Sequence, residues 1–189
     1  MSKDLKQSAQ ILLDNQYLFD YKLSPIIHFF INKKFDEILK KKCKEVKLLN
    51  LTDFITGNSI NTQLKSTKYS NSNGKYPYIS TKDLNYGLNE IEYKNGITIP
   101  ENTKFRIAEK NSVLMCIEGG NALIKMGINT EEVCYGNKIM AFKPKDNYLP
   151  KYLLYFFMSY QFQEQTKLSG LIGGLSKGKL KNIIIIILI

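Results

Sequence analysis

Asp83 and the triplet Glu92–Tyr93–Lys94 have the residue types of a two-carboxylate-plus-lysine nuclease. In such a site acidic groups hold Mg²⁺ and the lysine steadies the attacking water. Glu-x-Lys recurs at Glu45–Val46–Lys47 with Asp36 upstream. In so lysine-rich a chain the pattern arises easily by chance, and the competing reading is exposed charge at strand and loop edges. A second set of residues suits phosphate rather than hydrolysis. Between Ser169 and Lys181, glycines permit close backbone approach, and Ser176, Lys177, Lys179 and Lys181 offer donors. A flexible connector reads equally well there. Glu118–Gly119–Gly120–Asn121 has the same duality, as a tight turn that projects polar side chains. Tyr69, Tyr76, Tyr78 and Tyr86 interleave with Lys68, Lys75 and Lys82. Nucleic-acid surfaces use that pattern, and so do half-buried tyrosines packed in a sheet.

Other chemistry is missing from the sequence. No G-x-x-x-x-G-K-[ST] loop occurs, and no G-x-G-x-x-G follows a strand pattern. The Asn/Asp-Pro-Pro-aromatic tetrapeptide of amino-methyltransferases is absent too, so neither ATP nor S-adenosylmethionine is expected as a cofactor. His28 is the single histidine, and Cys43, Cys116 and Cys134 are the cysteines. No metal site and no catalytic residue are expected from that set. Three widely spaced cysteines give no disulfide framework and point to a reducing compartment.

The chain has 189 residues and a formal charge of +10, with Arg106 as its single arginine. Such an excess favours polyanions, with nucleic acid the default. Lysine contacts phosphate well but lacks the planar fork by which arginine reads guanine. There is no secretory-signal pattern. The longest apolar run, Ile183–Ile189, falls far short of the roughly 20 residues a membrane helix needs. The expectation is a cytoplasmic protein with no membrane partner.

Ser2–Tyr21 has three-and-four apolar spacing and reads as a helix. Ser24–Pro25 breaks it, and a second helix runs from Pro25 to about Lys44, with Ile27, Phe30, Ile31, Phe35, Ile38 and Leu39 as its stripe. Its lysines read as a solvated face or as a phosphate-contacting edge. Val46–Thr56 reads as a strand and a short helix. The polar stretch from Gly57 to Gly74 reads as a long surface loop. Strands are expected at Tyr76–Ser80, Ile97–Ile99, Val113–Ile117, Leu123–Met126 and Lys138–Phe142. A turn is expected from Ser80 to Asp83, a helix over Leu149–Leu168, a glycine-rich turn over Gly170–Gly178, and a closing apolar strand.

Taken in order, these segments are familiar. Val46–Gly57 (VKLLNLTDFITG) resembles the opening of a target-recognition domain of type I restriction–modification specificity (S) subunits. The family continues with a polar insertion and a P-[YW]-[IV]-[ST]-x-[KR]-D-[LIM] element, here Pro77–Leu84 (PYISTKDL). Ser112–Gly120 is similar to the family's strand and small-residue turn, Tyr135–Lys138 to its N-[QK] step, and Leu149–Phe157 to its domain-closing helix. Gly173–Ile184 resembles the ending before its last strand, and Leu12–Tyr21 the end of the long helix before such a domain.

The resemblance implies an α/β protein: a curved mixed sheet with flanking helices as the target-recognition domain over residues 46–189, and a helical arm over residues 1–45. It implies a non-catalytic, sequence-specific DNA-binding subunit. Such a subunit directs modification (methyltransferase) subunits, and through them a restriction subunit, to their site. Family subunits carry two recognition domains, each reading half of a split site. This chain has one, so the expectation is a half-subunit that pairs with a second copy or another half-subunit, or a fragment. Residues expected at duplex DNA are Ser80, Thr81, Lys82, Asp83, Glu118, Gly119, Gly120, Asn121, Asn137, Lys138, Ser176, Lys177 and Lys179. Asn121 and Asn137 have the amide for bidentate pairing with adenine, and Asp83 or Glu118 the carboxylate to accept from cytosine. Two other classes stay open: the Mg²⁺ nuclease built on Asp83, Glu92 and Lys94, and a module that binds protein rather than DNA.

Overall fold

The computed structural model describes residues 43–70, 73–86, 91–93, 95–102, 104–145, 150–168, 175 and 177–188. The two helices expected before residue 43 lie outside the described residues. The last two positions of the second are extended instead, because Cys43–Lys47 is a strand, β1. The chain divides into two compact units: Glu45–Ile185, and Met1–Lys44 with Ile186–Ile189. Both four-stranded sheets belong to the first unit.

After β1 comes one helical turn, α1 (Leu48–Leu51), which buries Leu48 and Leu51. Strand β2 (Thr52–Thr56) follows. The stretch after it is not the continuous loop expected. Thr62–Leu64 is a short helix, α2, whose Asn61 side chain accepts from the Gln63 N–H at 2.9 Å. The helix runs on into a π-helical turn, Lys65–Tyr69. Asparagine satisfies an orphan donor at a helix start, and burial of Ile60 and Tyr69 fastens the segment to the core.

The remaining strands are β3 (Tyr76–Ile79), β4 (Thr98–Ile99), β5 (Ile107–Ala108), β6 (Val113–Cys116), β7 (Met126–Ile128), β8 (Val133–Tyr135) and β9 (Ile139–Pro144). Two helices, α3 (Pro150–Met158) and α4 (Tyr160–Leu168), occupy the region expected to be one helix. They part at Ser159, whose hydroxyl bonds the Phe156 carbonyl at 2.6 Å and accepts from the Phe162 N–H at 3.3 Å. The chain then forms α5 (Lys177–Leu180) and β10 (Ile184–Leu188). The segment Leu123–Met126 is also not the strand expected: residues 121–124 are a turn in which Leu123 takes a φ of 64°, and β7 starts at Met126.

One sheet is antiparallel, in the order β2-β9-β6-β7, and the other runs β4-β3-β8-β5. The second sheet is the mixed one, since β3 and β8 are parallel with Tyr78 opposite Cys134. Strand alternation sends neighbouring residues to opposite faces, and here it builds two cores. Ile79, Val133 and Tyr135 pack with Leu114, Cys116, Ile139 and Ala141 of the first sheet. Tyr76, Tyr78 and Cys134 point the other way and pack with Ile60, Tyr69 and Ile99. The first sheet's outer face receives α3, and α4 packs against α3: the Phe142 and Phe157 rings are 4.6 Å apart, and Phe157 and Phe162 are 5.0 Å apart. β10 pairs with β1, and the Gln165 amide bonds both the N–H and the carbonyl of Ile184 at 2.7 Å. A side chain therefore occupies polar groups of an apolar strand that would otherwise invite pairing.

Candidate nucleic-acid interface

The pairing rules put the C-terminal ends of β3, β6 and β8 and the start of β9 at one end of the two sheets. Parallel β3 and β8 finish together, and antiparallel β6 finishes where β9 begins, Cys116 facing Ile139. The loops that leave those ends are tied by backbone hydrogen bonds. Gly136 N–H donates to the Ile79 carbonyl at 2.9 Å, Ile117 N–H to Lys138 at 2.9 Å, and Leu175 N–H to Ile117 at 3.1 Å. Three of the expected groups, Ser80–Asp83, Glu118–Asn121 and Asn137–Lys138, thus stand at one edge. The fourth is approached through Leu175. Ser176 lies outside the described residues, as does the side chain of Lys177, while Lys179 is half-buried on α5.

Within the first loop the residues divide by role. Asp83 is 2% exposed. Its Oδ2 accepts from Ser80 N–H at 2.8 Å, from Ser80 Oγ at 2.6 Å and from Asn95 Nδ2 at 2.6 Å. A buried carboxylate needs such donors, and these three close the turn after β3. Lys82 is exposed, and Ser80 and Thr81 are half-buried. The carboxylate that was a candidate for a metal, or for cytosine, is therefore engaged inside the loop. Of the residues grouped with it, Glu92 is half-buried and Lys94 lies outside the described residues. Among the described residues no group of three metal-ligating side chains comes together.

The second loop is a tight turn. Gly119 has a φ of 85°, a conformation that favours glycine, and a Cβ added at Gly119 or Gly120 would meet open space. Glu118, Gly119 and Gly120 are exposed and Asn121 is half-buried. At the base of the turn, Cys116 Sγ donates to the Glu118 carbonyl at 3.3 Å. Burial pushes its thiol above the usual range, although Lys125 and Lys138 pull the other way. Asn137 and Lys138, in the third loop, are both exposed.

The tyrosines separate into two kinds. Tyr69, Tyr76 and Tyr78 are core residues, whereas Tyr86 is 58% exposed. Tyr86 pairs with Lys125 in an isolated bridge, carries the Lys125 ammonium 5.0 Å from its ring centre, and donates from its hydroxyl to Asn121 Oδ1 at 2.8 Å. Sequence reasoning set Tyr86 among the other tyrosines and did not join it to Asn121. The available signal was its polar setting between Asn85 and Gly87, unlike the alternating apolar setting of Tyr76 and Tyr78. The single arginine is engaged structurally, with Arg106 Nη1 donating to the Thr56 carbonyl.

Short polar loops from several strand ends thus share one edge of a two-sheet scaffold. The chain belongs to the family described as type I restriction modification DNA specificity domain, which matches residues 40–187. No curated protein matches it in sequence. Among solved structures it is similar to the HsdS subunit from Thermoanaerobacter tengcongensis, at 20% identity and a TM-score of 0.56 over 77% of this chain and 33% of that one. It is also similar to the type I restriction–modification S subunit from M. genitalium, at 18% identity and a TM-score of 0.55 over 97% of this chain and 45% of that one. A chain from a structure concerned with complex assembly and conformational transition of the type I R-M system gives 17% identity and a TM-score of 0.58. That match covers 97% of this chain and 47% of the other. The chain thus spans between a third and about half the length of these structures, and the likeness concerns the fold. The α/β class with a mixed sheet agrees with expectation. No helix among the described residues is long and apolar enough to cross a membrane.

Proposed function

We propose that the chain is a sequence-specific DNA-recognition component of a type I restriction–modification complex, working in the cytoplasm and without catalysis of its own. Membership of the DNA specificity family over residues 40–187 is the observation that carries this reading. The net charge of +10 suits approach to duplex DNA, and phosphate contacts fix a protein's register before base edges are read. Lys82 and Lys138 serve as phosphate contacts. Asn121 and Asn137 have the amide suited to adenine and Glu118 the carboxylate suited to cytosine, with Ser80, Thr81, Gly119, Gly120, Ser176, Lys177 and Lys179 around them. Asp83 stays with this edge as the carboxylate that holds its loop, and its engagement by Ser80 and Asn95 counts against the nuclease reading.

Modification subunits would supply methyl transfer and recruit the restriction subunit, and a second recognition domain would read the other half of a split site. The recognition domain would span residues 46–189 and the helical arm residues 1–45. Co-expression of the full chain with a modification subunit, followed by sequencing of methylated sites, tests the reading. A defined methylated sequence is the expected result. No complex and no methylation would overturn it.

A further inference from the structure

A carboxamide reads adenine with both its ends: Oδ1 accepts from N6 while Nδ2 donates to N7. An unrestrained asparagine on a loop can present either end first, because its amide group turns over at little cost. Asn121 is restrained. The Tyr86 hydroxyl donates to its Oδ1 at 2.8 Å, which fixes the oxygen toward Tyr86 and leaves the Nδ2 donors and the second Oδ1 lone pair for a ligand. Tyr86 is restrained in turn. Its backbone bridges Lys125, the Met126 N–H donates to the Asn85 carbonyl at 3.2 Å, and the Lys125 ammonium lies 5.0 Å from the ring centre. On the other side, Asn121 sits in a turn whose Ile124 and Lys125 N–H groups both reach its carbonyl at 3.2 Å. An exposed tyrosine, which pays entropy to be held, is thereby locked to the one half-buried amide of the β6–β7 turn.

Resting on the DNA reading above, we infer that Tyr86 is a positioning residue for specificity, holding Asn121 so that its fixed donor–acceptor pair selects adenine at one position of the DNA site. Guanine is disfavoured there because its O6 is an acceptor and would face the fixed Oδ1 acceptor. The phenol contributes no charge, so it bears on which base is preferred and not on phosphate attraction.

The test is selection from a random-sequence duplex DNA library by the full chain, compared with Tyr86→Phe and Asn121→Ala, with affinity for unselected duplex measured across salt. The wild type should enrich one adenine that Asn121→Ala no longer enriches. Tyr86→Phe should weaken preference at that same position by about tenfold, within the range of one bidentate contact. Its other positions and its salt dependence should match the wild type. A Tyr86→Phe library identical to the wild-type one would overturn this inference and leave the DNA reading standing. Loss of preference at every position, or of affinity for unselected duplex, would show a merely structural role for Tyr86. If the wild type enriches no sequence, the DNA reading falls and this inference with it. Thermal melts of each variant separate a local effect from unfolding, and Asn121→Ala tests the same position should Tyr86→Phe melt early.

Discussion

Asn95 Nδ2 donates to Asp83 Oδ2 at 2.6 Å while it also reaches the Tyr78 carbonyl at 2.6 Å. One amide therefore joins the end of β3 to the loop that follows it, and Ile97 N–H returns to Asn95 Oδ1 at 2.9 Å. Replacing Asp83 by alanine removes the acceptor and leaves Ser80 N–H and Asn95 Nδ2 without their partner in a buried turn. Such a loss costs about 3 kcal/mol. Urea unfolding of Asp83→Ala should show that drop, and Asp83→Asn a smaller one, since the amide keeps an acceptor.

Gly57 is fixed by space. A Cβ there would stand 2.1 Å from the Tyr135 carbonyl oxygen and 2.5 Å from that of Gly136, and backbone cannot retreat as a side-chain tip can. Gly57→Ala should lower stability by more than about 2 kcal/mol. Gly120→Ala, which meets open space, should melt within a degree or two of the wild type. Differential scanning calorimetry of the pair checks both.

Tyr78 and Cys134 face each other across the parallel β3–β8 pair, and burial pushes each up to about 12 from ordinary values of 10.0 and 9.0. The folded state holds these protons more tightly than the unfolded chain does. Their contribution is fully present below pH 9 and is lost as pH rises through 9–10 toward 12. Each group steepens the alkaline loss of stability by as much as about 1.4 kcal/mol per pH unit. Denaturation series at pH 8 to 11 should show this fall, and Tyr78→Phe should flatten its upper part. At neutral pH the same variant should lose about 1 kcal/mol, from the hydrogen bond to the Asn58 carbonyl.

Local pattern carried the order of most elements into view. Tyr76–Ile79 is a short run of aromatic and β-branched residues around a proline, followed by a turn whose Ser80 and Asp83 are the residue types that close it, so both could be read without tertiary information. The helical stretch Thr62–Tyr69 could not, because it is polar throughout apart from Leu64 and Tyr69 and is held by burial of Ile60 and Tyr69. Leu123–Met126 reads as a strand because three of its four residues are apolar, yet Leu123 takes a positive φ in the turn after β6. Strands β5 and β8 have two and three residues and are too short for periodicity to mark. At the candidate interface the loops were legible one by one. Their meeting at one edge depends on the parallel β3–β8 pairing, which is non-local. The roles of Asp83 and Tyr86 follow from partners twelve and thirty-five residues away.

Whether the gathered loops meet DNA is measured most directly by the slope of log affinity against log salt for duplex DNA. For the full chain, affinity should fall steeply as salt rises. In the Lys82→Ala/Lys138→Ala double variant it should be weaker for every sequence, with the slope reduced by about 1 for each lysine. An affinity that does not change with salt, or a double variant with the wild-type slope, would contradict the assignment of this edge to DNA.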